Sequence, residues 1–405
     1  MNSPLNLILQ KAELDTSFTS TGEKILYHQE LLEQLRNGSG MPVSAWIAPT
    51  DVCNAKCSFC SVGERVGDVL PFGVIKGFVD QLHKLGLKSV TLSGGGNPLL
   101  YKCKLTGKDI NDVVNYIHRL GIQVAMITNG MPLVEYPWEP AGSAILDEDG
   151  KFKYYLGGKR KSWKNMRPET LDKLTWCRIS MAGLDANHKE QQVYVPDFDP
   201  SITTLGFSWI MSDSYEEPSH KHGWVSTPED IRTEMDNRKV VYALDRLPWI
   251  EEQVRAYVEK HNPMYVRLLC NCLQPDQIPE RHRILQGMAE RINPEVVFSQ
   301  NKPPRQPKKC FKVLTRPCLN ADSFVYPCDS TVLNRTAGHK FGSLWRICRW
   351  DQVADLYADP SKFDMPDGIC PGCVFADQVD LIHSVVEGAE YPVPQGEPPQ
   401  HVNYI

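Results

Sequence analysis

No run of about 18 apolar residues occurs in this 405-residue chain, so it offers no segment able to span a bilayer as a helix. Met1 to Leu14 lack the basic stretch followed by an apolar core that marks a secretory signal. Charge of one sign is not in excess either: 44 Lys and Arg against 49 Asp and Glu leave a formal charge of −5. That balance argues against a protein whose main affinity is for a nucleic-acid backbone, although a basic cleft on a mildly acidic body remains compatible with it. What the chain holds in quantity is cysteine, 13 in all. Without a secretory signal, that number points to metal or redox chemistry in a reducing, cytoplasmic compartment, not to disulfides.

The length suits one large domain with an appendage, or two domains. Residues 1–42 read as an N-terminal extension. Its Glu23–Arg36 stretch has apolar residues at helical spacing and stops at Asn37-Gly38-Ser39-Gly40. It is expected to pack outside the core, with no chemistry of its own. Residues 43–302 alternate strands and helices, the mark of a parallel α/β sheet. The expected strands are Val43–Ala48, Ser89–Leu92, Gln123–Thr128, Trp176–Met181, Thr204–Met211 and Tyr265–Cys270, with a further short one at Val296–Phe298. Helices are expected at Pro71–Leu85, Asp109–Leu120, Pro168–Leu174, Leu247–Glu259 and Pro279–Ile292. Two stretches interrupt the alternation: an inserted hairpin within Val134–Trp163, and the polar Asp213–Arg238. The latter reads equally as a substrate-shaping insertion or a solvated loop. Residues 303–405 open on a Pro-rich linker, and the tail Tyr391–Ile405 is either a loose end or an arm folded onto the body.

The chemistry centres on Cys53, Cys57 and Cys60, spaced C-x3-C-x2-C just after the first strand. Three thiolates on one loop can hold three irons of a [4Fe–4S] cube and leave the fourth open for a ligand. A structural zinc site is the bland alternative, but zinc usually takes four ligands in paired C-x2-C knuckles. Phe59, one position before the last cysteine, can cover a cluster. The loop resembles the C-x3-C-x-aromatic-C signature of the radical S-adenosylmethionine (SAM) superfamily. That resemblance implies a partial (β/α)6 TIM-like barrel with its chemistry at the C-terminal strand ends. It further implies that SAM chelates the open iron and is cleaved to a 5′-deoxyadenosyl radical, which abstracts a hydrogen atom.

Other motifs extend the resemblance. Gly94-Gly95-Gly96-Asn97-Pro98 is similar to the family's Gly-Gly-Glu-Pro motif, with Asn97 where Glu is usual. The resemblance implies that Gly95, Gly96 and Asn97 bind the amino group of SAM. Thr128-Asn129-Gly130 resembles the end of the family's third strand. Arg178-Ile179-Ser180-Met181-Ala182-Gly183 resembles Arg-x-Ser-x-Asp-Gly, which implies SAM contacts for Arg178 and Ser180, while Ala182 replaces the acid. By strand order, Arg267 to Cys270 would line the adenine pocket.

Cys310, Cys328, Cys370 and Cys373 follow in a hairpin-like region that resembles the auxiliary-cluster twitch domain, the short form of the SPASM domain. This implies a small C-terminal α+β domain with a second, fully ligated [4Fe–4S] cluster. Zinc on the same residues, or Cys318 as an alternative ligand, remains open. Cys103, Cys177 and Cys348 read as buried small hydrophobes; Cys270 and Cys272 either pack similarly or serve as a hydrogen donor or acid near substrate.

The expectation is a radical SAM oxidoreductase acting on a small polar, sugar- or cyclitol-like molecule. The auxiliary cluster would accept or relay an electron, and a flavodoxin- or ferredoxin-type protein would be the reductant. Candidate bases are Arg178, Asp213, Glu216, His220 and His222. The alternatives are rearrangement of a nucleotide or nucleobase, peptide maturation, and a non-catalytic iron–sulfur carrier or sensor.

Overall fold

The computed structural model describes the chain except for residues 1–12, 56, 58, 61–64, 66, 139–143, 147, 150, 156–157, 185–191, 216–239, 273, 307, 330–344 and 368–372. Its centre is a ten-stranded sheet. Seven strands run parallel in sequence order: β1 (Ser44–Ile47), β2 (Ser89–Leu92), β3 (Gln123–Thr128), β4 (Leu174–Ser180), β5 (Thr204–Met211), β6 (Tyr265–Cys270) and β7 (Val297–Gln300). The seventh strand, read from sequence only as a short addition, pairs fully with β6. The result is an α/β fold around a central parallel sheet, open between β7 and β1 among the described residues.

The strands are buried along most of their length because helices cover the outer face. The helix α4 (Phe72–Lys84) buries Ile75, Phe78, Val79 and Leu82, spaced three, four and seven residues apart, on one stripe. The following helix α5 (Ile110–Arg119) starts sharply. Asp109 accepts from the amides of Asn111 and Asp112, and Asp112 accepts back from the Asp109 amide. Further along, α7 (Leu247–His261) ends on Asn262 in the left-handed region, and α8 (Ile278–Ile292) packs on β6 and β7.

Between them in sequence, the short α6 (Pro168–Leu171) stops earlier than expected, and β4 begins at Leu174. The inserted hairpin is two ribbons, Leu133–Trp138 against Gly158–Trp163 and Ala144–Leu146 against Phe152–Tyr155.

The described part of the N-terminal region is three short helices, α1 (Glu13–Phe18), α2 (Gly22–Leu26) and α3 (Gln29–Arg36); the expected single helix breaks at Tyr27 and His28. It is not merely external. Leu31, Leu32 and Leu35 are fully buried in the main core, and Phe18 stacks on Tyr265 with ring centroids 4.5 Å apart. The tail is an arm, not a loose end. Asn403 O accepts from Ser89 Oγ (2.7 Å), Asn403 Nδ2 donates to Gln123 Oε1 (3.0 Å), and His401 Nε2 meets Thr204 Oγ1 (3.1 Å). These partners lie at the N-terminal ends of β2, β3 and β5, so residues 400–405 plug the floor of the barrel.

The C-terminal region joins the same sheet. The strand β8 (Cys318–Leu319) pairs parallel with β1, then β9 (Phe324–Tyr326) and β10 (Cys348–Arg349) add antiparallel. Two helices, α9 (Val353–Ala358) and α10 (Ala376–Val386), finish the region; α10 packs on α2 and α3.

Candidate active site

The cysteine loop leaves the C-terminal end of β1, and its base is held on both sides. On one side Asp51 N donates to Asp68 O (3.0 Å) and Leu70 N to Pro49 O (2.9 Å). On the other, Gly96 N donates to Thr50 O and Asn97 N to Val52 O, both at 2.8 Å. The glycines make this second contact possible. A Cβ on Gly95 would lie 2.8 Å from Thr50 O, and one on Gly96 only 1.9 Å from Val52 O. Their lack of side chains brings the turn after β2 against the backbone that precedes Cys53.

Asn97 is 2 % exposed, and all four hydrogen-bonding positions of its amide are used. Its Oδ1 accepts from Thr128 Oγ1 (2.7 Å) and Leu99 N (3.1 Å). Its Nδ2 donates to Asn54 Oδ1 (2.8 Å) and Gly130 O (3.1 Å). Thr128 Oγ1 also accepts from Gly130 N (2.9 Å). One amide thus joins the ends of β2 and β3 to the cysteine loop. A glutamate could not supply the two donated bonds.

Cys53, Cys57 and Cys60 are part-buried and form no disulfide. Burial pushes the Cys53 thiol up, with the nearby Arg65 cation working against it. Arg65 Nη2 donates to Cys60 Sγ at 3.0 Å, and its charge also acts on Cys53 and Cys57. Asn129 Nδ2 lies 3.9 Å from Cys53 Sγ, and the amide of Ala55 donates to the same sulfur at 3.4 Å. Phe59 is half-buried in the turn closed by Cys60 N to Cys57 O (3.1 Å). Three soft thiols on one loop, with amide donors at a sulfur, are a donor set suited to an iron–sulfur cluster.

Among the described residues no three His, Cys, Asp or Glu side chains are grouped as a ready metal site. Arg65 and Asn54 belong to this site and escaped the sequence reading; the only available signal for Arg65 was its position five residues after Cys60.

Arg178 and Ser180 alternate with Trp176 on β4, so all three share one face. Arg178 sits over the Trp176 ring at 5.9 Å, and its Nε is buried without a partner among the described residues. Trp176 and Arg178 line a chamber of about 160 Å³ inside the barrel. Ser44 and Trp46 of β1, Thr91 of β2, Ile127 of β3 and Tyr265, Arg267 and Leu269 of β6 add to its wall, which residues of the N-terminal helices, the C-terminal region and the tail close. A Cβ on Gly206 of β5 would fall 2.1 Å from the Tyr265 ring. Glycine there lets that ring lie across β5.

In the second cysteine group, Cys310 and Cys373 pack together in one apolar cluster with Ala376 and Val379. Cys328 is half-buried, and Cys370 lies outside the described residues. Burial pushes the Cys310 thiol up to about 11. Lys312, 1 % exposed, carries a charge that faces Cys310, Cys328 and Cys373; burial and Arg316 bring its amine down to about 8. A buried cation beside three thiols suits a site that carries net negative charge when the thiols bind metal. Cys318 packs against Trp46, Tyr326 and Trp345, in a cluster that Cys328 also touches.

Asp213 is not poised as a base. Its Oδ2 accepts from Arg281 Nη2 at 2.6 Å, and its Oδ1 from Ala243 N at 2.8 Å, so it holds the ends of the inserted segment. Glu216, His220 and His222 lie outside the described residues. The Cys270 thiol, pushed up to about 11 by burial, points to Ile278 O at 3.8 Å. Cys177 is wholly buried, Cys348 sits in the main core, and no described helix is long and apolar enough to cross a membrane.

Residues 47–139 match the family model of the radical SAM superfamily, so the chain carries a radical SAM domain there. Members of that superfamily bind a [4Fe–4S] cluster and SAM. No curated protein matches the chain. Among solved structures, Streptococcus suis SuiB bound to S-adenosylmethionine shares 12 % identity at a TM-score of 0.39, over 75 % of this chain. This chain spans 63 % of SuiB in that match. The protein anSMEcpe with bound AdoMet and the Cp18Cys peptide shares 12 % identity at 0.41, over 85 % of this chain and 96 % of its own. Methylornithine synthase shares 12 % identity at 0.26, over 66 % of this chain and 67 % of its own.

Proposed function

We propose that the chain is a radical SAM oxidoreductase acting on a small polar molecule held inside the barrel. The observation that carries this reading is the placement of three thiols, clamped by Gly95, Gly96 and Asn97, at the end of a barrel that encloses a chamber with charged side chains on its wall. Cys53, Cys57 and Cys60 would hold a [4Fe–4S] cluster, and Phe59, Gly95, Gly96, Asn97, Thr128, Asn129, Arg178 and Ser180 would surround SAM. When bound, cluster and SAM supply a 5′-deoxyadenosyl radical that takes a hydrogen atom from the substrate.

The chain's own residues tune this. Amide donors at the Cys53 sulfur from Ala55 and Asn129 withdraw charge from a thiolate, which favours its electron-rich state. Cys310, Cys328, Cys370 and Cys373 would hold a second cluster, useful for electron transfer because all its irons are covered. Lys312 supports an accepting role: a buried positive charge beside the thiolates favours taking up an electron.

The test is anaerobic reconstitution with iron and sulfide, followed by dithionite and SAM. Formation of 5′-deoxyadenosine, lost in Cys53→Ala, Cys57→Ala and Cys60→Ala, is the expected result; none from the wild type sinks the reading. Iron should come to about eight per chain for two cubes; about four with zinc would remove the second cluster.

A further inference from the structure

We propose that the chamber inside the barrel is a binding site for the oxyanion head of the substrate, a carboxylate or a phosphate, held by Arg267, Arg316 and Lys302 with Arg178 beside them. This names the substrate class for the reading above and rests on it.

The chamber's walls carry five cationic side chains, Lys24, Arg178, Arg267, Lys302 and Arg316, against one carboxylate side chain, Asp329. Asp329 is already used: its Oδ1 accepts from Arg316 Nη2 at 2.7 Å. Lys24 is already engaged within the same lining, donating to Ser17 O at 2.8 Å. Arg267 Nη1 donates to the neutral Gln300 Oε1 at 3.1 Å. Behind it, Gln300 donates to Asp15, which is not part of the lining.

Three buried donors on the wall have no partner among the described residues: Nε of Arg178, Nε of Arg267 and Nε1 of Trp46, the last on a side chain 9 % exposed. Burial and the neighbouring Arg178 bring Arg267 down to about 9. Asp15 and Asp329 act on Arg267, and Asp15 and Glu23 on Lys24, yet the lining itself carries more positive than negative side chains; enclosing that excess has a desolvation and repulsion cost, which an entering anion lowers. Guanidinium groups suit the task because their planar donors match carboxylate and phosphate oxygens two at a time.

Phe375, two residues after Cys373, has Arg316 at 5.3 Å and Lys302 at 5.1 Å from its ring centre, and it holds these cations at the chamber's edge.

The test titrates inorganic phosphate and, separately, acetate into reconstituted enzyme by calorimetry, with and without SAM. Phosphate or acetate is expected to bind with SAM present, and the stronger of the two identifies the head group. Arg267→Gln should weaken binding at least tenfold. Asp329→Asn, which removes the one acidic side chain on the wall, should tighten it severalfold, an outcome that a merely structural role for these residues does not give. Two results overturn the inference: no binding of either anion to a wild type that still forms 5′-deoxyadenosine, or displacement of the anion by SAM, which would make this SAM's own pocket. Anion binding without 5′-deoxyadenosine formation would uphold the chamber and sink the radical reading.

Discussion

Replacing Asn97 by an aspartate changes almost nothing in shape and inverts two hydrogen bonds. The carboxylate can still accept from Leu99 N and Thr128 Oγ1, but it can no longer donate to Asn54 Oδ1 or Gly130 O. Asn54 is exposed and can turn its amide to present nitrogen, but only by giving up its own bond to Gly130 O (3.4 Å). Gly130 O is backbone and cannot. One carboxylate oxygen therefore faces a carbonyl oxygen at a site 2 % exposed. A buried unsatisfied polar group costs about 1–3 kcal/mol, and more when charged, so a loss of about 3 kcal/mol is expected.

Protonation offers an escape, because the neutral acid introduced by Asn97→Asp can donate to Gly130 O. The folded state then holds a proton that the unfolded chain releases at about pH 4. With the folded pKa raised, the variant's stability falls as pH rises above that value. Urea denaturation of wild type and Asn97→Asp at pH 5.5 and 8 should show the gap in midpoint widening at the higher pH. Equal midpoints, or a gap that does not depend on pH, would refute the reasoning. Asn97→Glu restores the residue usual in this motif, yet it adds a methylene to the same closed network. It is expected to lower both stability and 5′-deoxyadenosine yield, and a yield at or above wild type would contradict the account of Asn97.

Asp213→Asn leaves Arg281 buried with only Gln274 as a partner among the described residues, so stability should drop by about 3 kcal/mol by denaturation, with activity per folded molecule little changed. Loss of activity without loss of stability would restore Asp213 as a base. Gly96→Ala forces a Cβ to 1.9 Å from Val52 O and should displace the cysteine loop. Iron after reconstitution should then fall from about eight to about four per chain. Gly73→Ala, with nothing within 4 Å, is the control and should be neutral or slightly stabilising. Burial brings the Lys24 amine down to about 7 despite Asp15 and Glu23. Because its folded pKa is depressed, the penalty is fully present below pH 7 and is relieved as pH rises toward 10, where the unfolded chain also loses its proton. Wild type should therefore gain stability over Lys24→Met between pH 7 and 10, by at most roughly 4–5 kcal/mol. A flat difference would mean that Lys24 stays charged.

The parallel strands were legible because each is a short apolar run closed by a turn, and Asp109 and Gly86 announce their helix ends locally. The spacing of Cys53, Cys57 and Cys60 was legible for the same reason: loop, motif and neighbours lie within a dozen residues. What escaped depends on contacts far apart in sequence. The pairing of Trp46 with Cys318 extends the sheet across more than 270 intervening residues, and no local pattern encodes it. Nor does anything in residues 400–405 reveal that they meet the first residues of β2, β3 and β5. Asn97 was visible only as a departure from a motif. Its reason lies in Asn54 and Gly130, 43 and 33 residues away. Gly95 and Gly96 in sequence suggest space for a ligand, whereas their missing side chains are first needed by the chain itself.

The pairing of β1 with β8 bears on what the second cysteine group can do. The strand β1 runs up into the loop of Cys53, while β9, antiparallel beside β8, runs the opposite way into Cys328. Cys53 and Cys328 thus leave the sheet in opposite directions. Asp329 follows Cys328, Phe375 follows Cys373 by two residues, and both line that chamber together with Trp46. Arg316 stands over both the Trp46 ring, at 5.4 Å, and the Phe375 ring, at 5.3 Å. On the proposed reading, a substrate held there touches residues that adjoin the second group. An electron leaving it would pass toward a site beside which the buried Lys312 is positive. On that reading, oxidation of a bound anion would use both the enclosed cations and this proximity, and a carrier without a substrate would need neither.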